Sequence, residues 1–225
     1  MKCFVITTGN EERMDYVSKN LDERGVNFEF FYSKTLEELD EYMKENKVEE
    51  KSFRFRIKAI MTGEVGCFDS HFRLWKKCLE LGEPILVIED NIEFVKGVDF
   101  KAVTFSQDAK NAGIVSFAEN SLVYDYQSYY KTHKLKERAL FPTICYVISP
   151  RVAKMLVRMV NKFDYVVPVD KFLAIPGLSR CYSYISPVGV ARRRDVSSIA
   201  NKKRGKKSNN PIHLIYRLIN IIKYR

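Results

Sequence analysis

Apolar residues along the chain follow two alternating rhythms. Short, mainly apolar segments at 3–7, 28–32, 84–89, 113–117 and 143–148 read as strands, and the continuous apolar run Pro84–Ile88 is too short for a helix and fits a strand covered on both faces. Between them, stretches at 10–24, 35–45, 64–81 and 150–161 carry apolar residues at spacings of three and four, the helical repeat. In the helix predicted at 64–81, Phe68, Phe72, Trp75 and Leu79 line one stripe. Ser70 and His71 are then expected beside that stripe and partly off the buried face. Gly63 and Gly66 allow close packing at the start of this helix, and Glu64 in its first turn suits the positive end of the helix dipole. Ser149-Pro150 reads as a capped helix start. Strands alternating with helices predict an α/β sandwich with a mostly parallel central sheet.

The stretch from Met61 to Phe94 joins that helix to the run Pro84-Ile85-Leu86-Val87-Ile88, and Glu89, Asp90 and Asn91 follow at once. The carboxyl ends of strands in open α/β sheets face the ligand crevice, where clustered oxygens suit a hard divalent cation bridging phosphates. The alternative is an acidic turn that stops a strand. Residues 46–58 are charged and read as a surface loop or short helix. The segment 120–138, with Tyr124, Tyr126, Tyr129 and Tyr130, is either a sugar-stacking loop or a Tyr-rich hairpin.

TGEVGCFDSHFRLW followed by LVIEDNIEF resembles the signature of glycosyltransferase family 25, the lipooligosaccharide and collagen-type galactosyltransferases. The opening KCFVITTGNEERMDYVSKNLDERGVNFEFFYS is similar to that family's first strand, arginine-bearing helix and second strand, with Arg13 at the matching arginine. TICYVISPRVAKMLV, YVVPVDKFL and ISPVGVARRRDVSSI resemble later family segments in the same order, so the likeness spans roughly residues 1 to 200. It implies a GT-A-like nucleotide-sugar-binding sandwich that moves galactose from UDP-galactose onto a lipooligosaccharide or lipopolysaccharide core, with inversion to a β-linkage. Three positions depart from the family pattern. Asn91 stands where an aspartate is usual, keeping an oxygen but losing a charge. Lys171 replaces an aromatic residue, and Asp69 replaces a small or apolar one.

By resemblance, Asp170 is the candidate catalytic base, although an aspartate there also suits a helix cap. Thr7, Arg13, Glu64, Ser70, His71, Glu89, Asp90 and Asn91 are the candidate donor-binding residues. Asp90 and Asn91 are the expected ligands of Mn2+ or Mg2+. Arg13 has two roles open to it, pairing with the diphosphate or with a structural carboxylate. His71 either contacts phosphate, sugar or metal, or is hydrogen-bonded in the core. His133 and His213 sit in no motif. Two rival readings are a degenerate family member that binds without transfer, and a membrane-tethering module with the α/β domain as scaffold.

Charge adds one feature. The chain of 225 residues carries a net charge of +10, and its distribution places the whole excess in a tail. From Arg192 onward there are 11 Lys/Arg against the single acid Asp195, while the preceding 191 residues are balanced. We therefore expect a catalytic domain at 1–191 and a basic linker with an amphipathic helix at 192–225. The closing PIHLIYRLINIIKYR has a broad apolar face, flanked by Lys and Arg, that suits an anionic bilayer surface. Packing on the domain or on a second subunit is the alternative. The basic residues form no nucleic-acid reader motif. Five cysteines without a CxxC pair point away from a disulfide framework or a zinc site and toward a reducing compartment. With no signal-like segment and no spanning apolar run, the expected location is cytoplasmic, peripheral on the cytoplasmic face of the inner membrane, beside a glycolipid acceptor.

Overall fold

The first strand, β1 (Lys2–Thr7), is buried along its last five residues and needs a partner on each edge and a layer on each face. A computed structural model describes residues 1–45, 61–94, 114–118, 133–134, 143–163, 168–173 and 183–192. In it, β1 pairs in parallel with β2 (Phe28–Tyr32) on one edge and β3 (Ile85–Glu89) on the other. The sheet continues through β7 (Cys145–Ile148), β5 (Ile114–Ala118), β8 (Ser183–Arg192) and β4 (Ile92–Phe94), with β6 (His133–Lys134) also on β8. Five strands, β2, β1, β3, β5 and β8, run in one direction. β7 runs against both its neighbours, and β4 and β6 run against β8. The sheet is therefore mixed, with its parallel strands interrupted by β7.

Alternate residues of the strands feed two cores. Phe4, Ile6, Ile85, Val87, Ile114, Tyr146 and Ile148 face helices α2 (Leu36–Glu45), α3 (Thr62–Leu81), α4 (Pro150–Phe163) and α5 (Val169–Leu173). Cys3, Val5, Leu86, Ile88, Cys145 and Val147 face the other side, where α1 (Glu11–Asp22) contributes Val17 and Leu21. The result is an α/β/α sandwich. Asn10 caps α1 by accepting from the Arg13 amide at 3.0 Å. α3 starts where Glu64 accepts from the Met61 amide at 3.1 Å, half of a capping box, and ends at Gly82 in the left-handed conformation (φ 67).

α3 is more deeply buried than its apolar stripe implied. Ser70 and His71, expected partly off the buried face, are both fully buried, because the helix is enclosed on several sides. Leu74, Trp75 and Cys78 join the core, Gly66 meets α2, and Phe172 of α5 stacks on Trp75 at 5.8 Å. A Cβ on Gly66 would lie 2.7 Å from Cδ1 of Leu39, itself buried. Gly66→Ala is thus expected to lower the melting temperature despite the better helix propensity of alanine, since overpacking costs about 1–3 kcal/mol. Adding Leu39→Val should return much of the loss; additive melting temperatures would show that the contact is not the cause.

Of the sequence expectations, 46–58, most of 120–138 and the tail beyond residue 192 lie outside the described residues. Within 120–138, His133–Lys134 form β6. The domain limit expected at 191 falls at the end of β8. Among the described residues, no helix is long and apolar enough to cross a membrane.

Candidate functional site

Chain order reverses at β1, which has β2 on one side and β3 on the other. Such a switch point opens a crevice beyond the carboxyl ends of the strands. Thr7 closes β1 there, and Glu89 and Asp90 close β3. The tight turn after β1 passes through Gly9 in the left-handed conformation (φ 85), with its amide donating to Thr7 Oγ1 at 3.0 Å. The turn leads into α1, whose first turn presents Arg13.

These three elements meet at Asp90, which is 5% exposed. Thr7 Oγ1 donates to Asp90 Oδ2 at 2.7 Å, and Arg13 Nη1 lies 3.4 Å from Oδ1. The Asp90 amide also donates to Ile6 O at 2.9 Å. Arg13 and Asp90 are both more than nine-tenths buried, so each charge relies on the other to offset its desolvation. Of the two roles open to Arg13, the carboxylate pairing is present. The side chain of Asn91 adds an amide oxygen, Oδ1, that is buried with no hydrogen-bond partner.

A second cluster forms around Glu89 on the α3 side of the sheet. Because β7 is antiparallel to β3, its amino end lies beside the carboxyl end of β3. Thr143 Oγ1 donates to Glu89 Oε1 at 3.0 Å, and the Glu89 amide donates to Ile144 O at 2.8 Å. His71 places Nε2 at 3.5 Å from the same Oε1, while its Nδ1 is 2.8 Å from the Tyr146 hydroxyl. Trp75 Nε1 donates to that hydroxyl at 3.0 Å. Burial, foremost, pushes the Tyr146 phenol well above its ordinary range, so it remains protonated. Cys67, one helical turn before His71, brings its sulfur within 4.8 Å of the donor atoms of His71 and Glu89.

The remaining candidates have local partners. Glu64 caps α3, and Ser70 donates to Gly66 O at 2.9 Å and meets Ser33 Oγ at 3.0 Å. Asp69 is held by Lys34 at 3.1 Å and by Arg73 at 2.8 Å, so its charge is matched locally rather than offered in place of the one Asn91 lacks. Asp170 is half-buried in the first turn of α5, a helix tied to α3 by Phe172 against Phe68 and Trp75. Thr7, Arg13 and Asp90 thus form one constellation, and His71 and Glu89 another.

Three contributors, Cys67, Thr143 and Tyr146, had been given no role. The Cys67-x3-His71 spacing places both on one helical face and was available as a signal. Thr143 and Tyr146 carried none, since only the antiparallel placement of β7 brings them to β3.

Residues 1–173 match the family model for glycosyltransferase family 25 (LPS biosynthesis protein). A glycosyltransferase 25 family member of Aedes aegypti is 26% identical over 178 residues, which cover 73% of this chain and 28% of that protein. Procollagen galactosyltransferase 2 of Mus musculus is 30% identical over 134 residues, 54% of this chain and 20% of that protein. The chain spans less than a third of the length of these relatives. Among solved structures, a glycosyltransferase involved in the glycosylation of the major capsid of PBCV-1 aligns over 87% of this chain and 93% of its own, at 12% identity and a TM-score of 0.47. With the family model spanning most of its length, the chain belongs to glycosyltransferase family 25.

Proposed function

We propose that this chain transfers a sugar from a nucleotide diphosphate donor to a glycan acceptor, using a GT-A-like crevice at the β1–β3 switch point. The observation that carries this reading is the Thr7–Asp90–Arg13 constellation, which joins the ends of β1 and β3 to the start of α1. Galactose from UDP-galactose is the donor we favour. The family description and the procollagen galactosyltransferase relatives support it. A lipooligosaccharide core is the favoured acceptor, and the basic tail would hold the enzyme at an anionic, cytoplasmic-side membrane where such an acceptor is anchored.

The buried, unpartnered Asn91 Oδ1 beside Asp90 fits a hard cation that takes oxygen ligands. Asp90 and Asn91 would hold Mn2+ or Mg2+, which when bound neutralises charge on the leaving diphosphate. Arg13 holds the Asp90 carboxylate in position. It also adds positive charge at the edge where the diphosphate binds. Asp170 accepts the proton of the acceptor hydroxyl, as inversion requires a base on the acceptor side.

The test is UDP binding with and without Mn2+, followed by turnover of a panel of UDP-sugars. Selective turnover of one sugar supports the transferase, and binding without turnover of any would leave a degenerate binder. Asp170→Asn should lower kcat by about 10²- to 10⁴-fold with donor affinity nearly unchanged. Weakened donor binding with kcat preserved would make Asp170 a binding or capping residue.

A further inference from the structure

Apart from the diphosphate site, the described residues contain one set of soft and borderline ligands in close approach. Cys67, His71 and Glu89 each offer one donor atom, and all three atoms lie within 4.8 Å of one another. His71 supplies the second observation. It is fully buried, and its Nε2 makes no hydrogen bond although it faces Glu89 Oε1 at 3.5 Å. A buried ring nitrogen left in this state is unusual in a settled core.

We infer that Cys67, His71 and Glu89 form a binding site for a zinc-type divalent metal, distinct from the cation proposed at Asp90 and Asn91. The donor set is the mixed thiolate, imidazole and carboxylate that such ions prefer over Mg2+. Bonds of roughly 2.0–2.3 Å at tetrahedral angles separate donors by about 3.3–3.8 Å. The His71–Glu89 pair already meets that spacing. The widest separation needs to close by about 1 Å, within reach of a change in the Cys67 side-chain rotamer.

The surroundings match those of metal-bound histidines and carboxylates, whose outer atoms are held by further hydrogen bonds. Trp75 Nε1 donates to the Tyr146 oxygen, and His71 Nδ1 lies 2.8 Å from the same hydroxyl, so the ring is held with Nε2 facing the cluster. Thr143 holds the Glu89 carboxylate. On binding, the Cys67 thiol releases its proton to solvent, and thiolate plus carboxylate balance the two charges of the ion. Three protein ligands leave the fourth position open. The zinc site that cysteine spacing alone argued against is in this way assembled from a single cysteine and two other elements.

The test uses the full chain, stripped of metal and titrated with Co2+ or Zn2+ alone, with no nucleotide sugar present. One equivalent of Co2+ should bind with a thiolate charge-transfer band in the near ultraviolet and with release of a proton. Cys67→Ser should abolish the band, Thr143→Ala should weaken binding by about tenfold, and Asn91→Ala should leave the band intact. Zn2+ should protect Cys67 of the wild-type protein from alkylation, and a chelator should reverse the protection, a readout that needs no variant to fold. Cys3, Cys78 and Cys145 are buried thiols whose ionisation burial disfavours, Cys3 and Cys78 being pushed up to about 12, and alkylation is read at Cys67 by peptide mass spectrometry, which separates it from Cys181, outside the described residues. Absence of stoichiometric binding, a band that survives Cys67→Ser, or unchanged alkylation with Zn2+ would each overturn the site. Because no donor is involved, these outcomes are independent of whether the chain proves to be a transferase.

Discussion

Asp90→Ala is expected to destabilise the fold by about 3–5 kcal/mol as well as to remove donor binding. The cost comes from Arg13, whose buried guanidinium loses its counter-charge, and breaking one side of a buried pair is the expensive case. Thr7 loses its acceptor at the same time. Urea unfolding measures the first effect and UDP binding the second. Removing both charges separates them, since replacing a buried pair by apolar residues is often neutral. Asp90→Leu with Arg13→Met should recover most of the stability while UDP binding stays lost. If Asp90→Ala alone unfolds within about 1 kcal/mol of wild type, the pair is not the joint described above.

Tyr146→Phe should cost about 2–6 kcal/mol, although it deletes a single oxygen. That oxygen serves two buried groups, His71 Nδ1 and Trp75 Nε1, and leaving each without it costs roughly 1–3 kcal/mol. Trp75 is the single tryptophan of the chain, so its fluorescence reports on this cluster directly. A double-mutant cycle with Trp75→Phe tests the assignment. In the Trp75→Phe background the second substitution should cost distinctly less, and equal costs in both backgrounds would mean that the two groups do not share the hydroxyl.

The contrast between these two residues shows what could be read from the chain. Asp90 was legible as a candidate from its place directly after a buried apolar run, although an acidic turn that stops a strand fits the same pattern. A carboxylate partner for Arg13 stood only as one of two alternatives, and Asp90 was not named as that partner, since 77 residues separate them. Tyr146 lay in a segment correctly predicted as a strand, yet nothing local showed that the strand would run against its neighbours. β8 was hidden for a different reason. Pro187 and Gly189 interrupt its pattern, and its pairing with β5 shifts register between Ser116 and Ala118. Ser70 and His71 were misplaced because one apolar stripe suits a helix packed on one side, and α3 is enclosed on several.

The position of β1 also bears on the order in which the molecule assembles. Its pairing with β2 joins Cys3 to Phe28, whereas its pairing with β3 joins Cys3 to Leu86 across more than three times as much chain. The longer loop costs about 1 kcal/mol more entropy to close, which favours β1, α1 and β2 as the early folding unit. Thr7 and Arg13 both belong to that unit. During synthesis half of the Asp90 constellation can be in place before the ribosome has made the other half, and the crevice comes into being only when β3 docks.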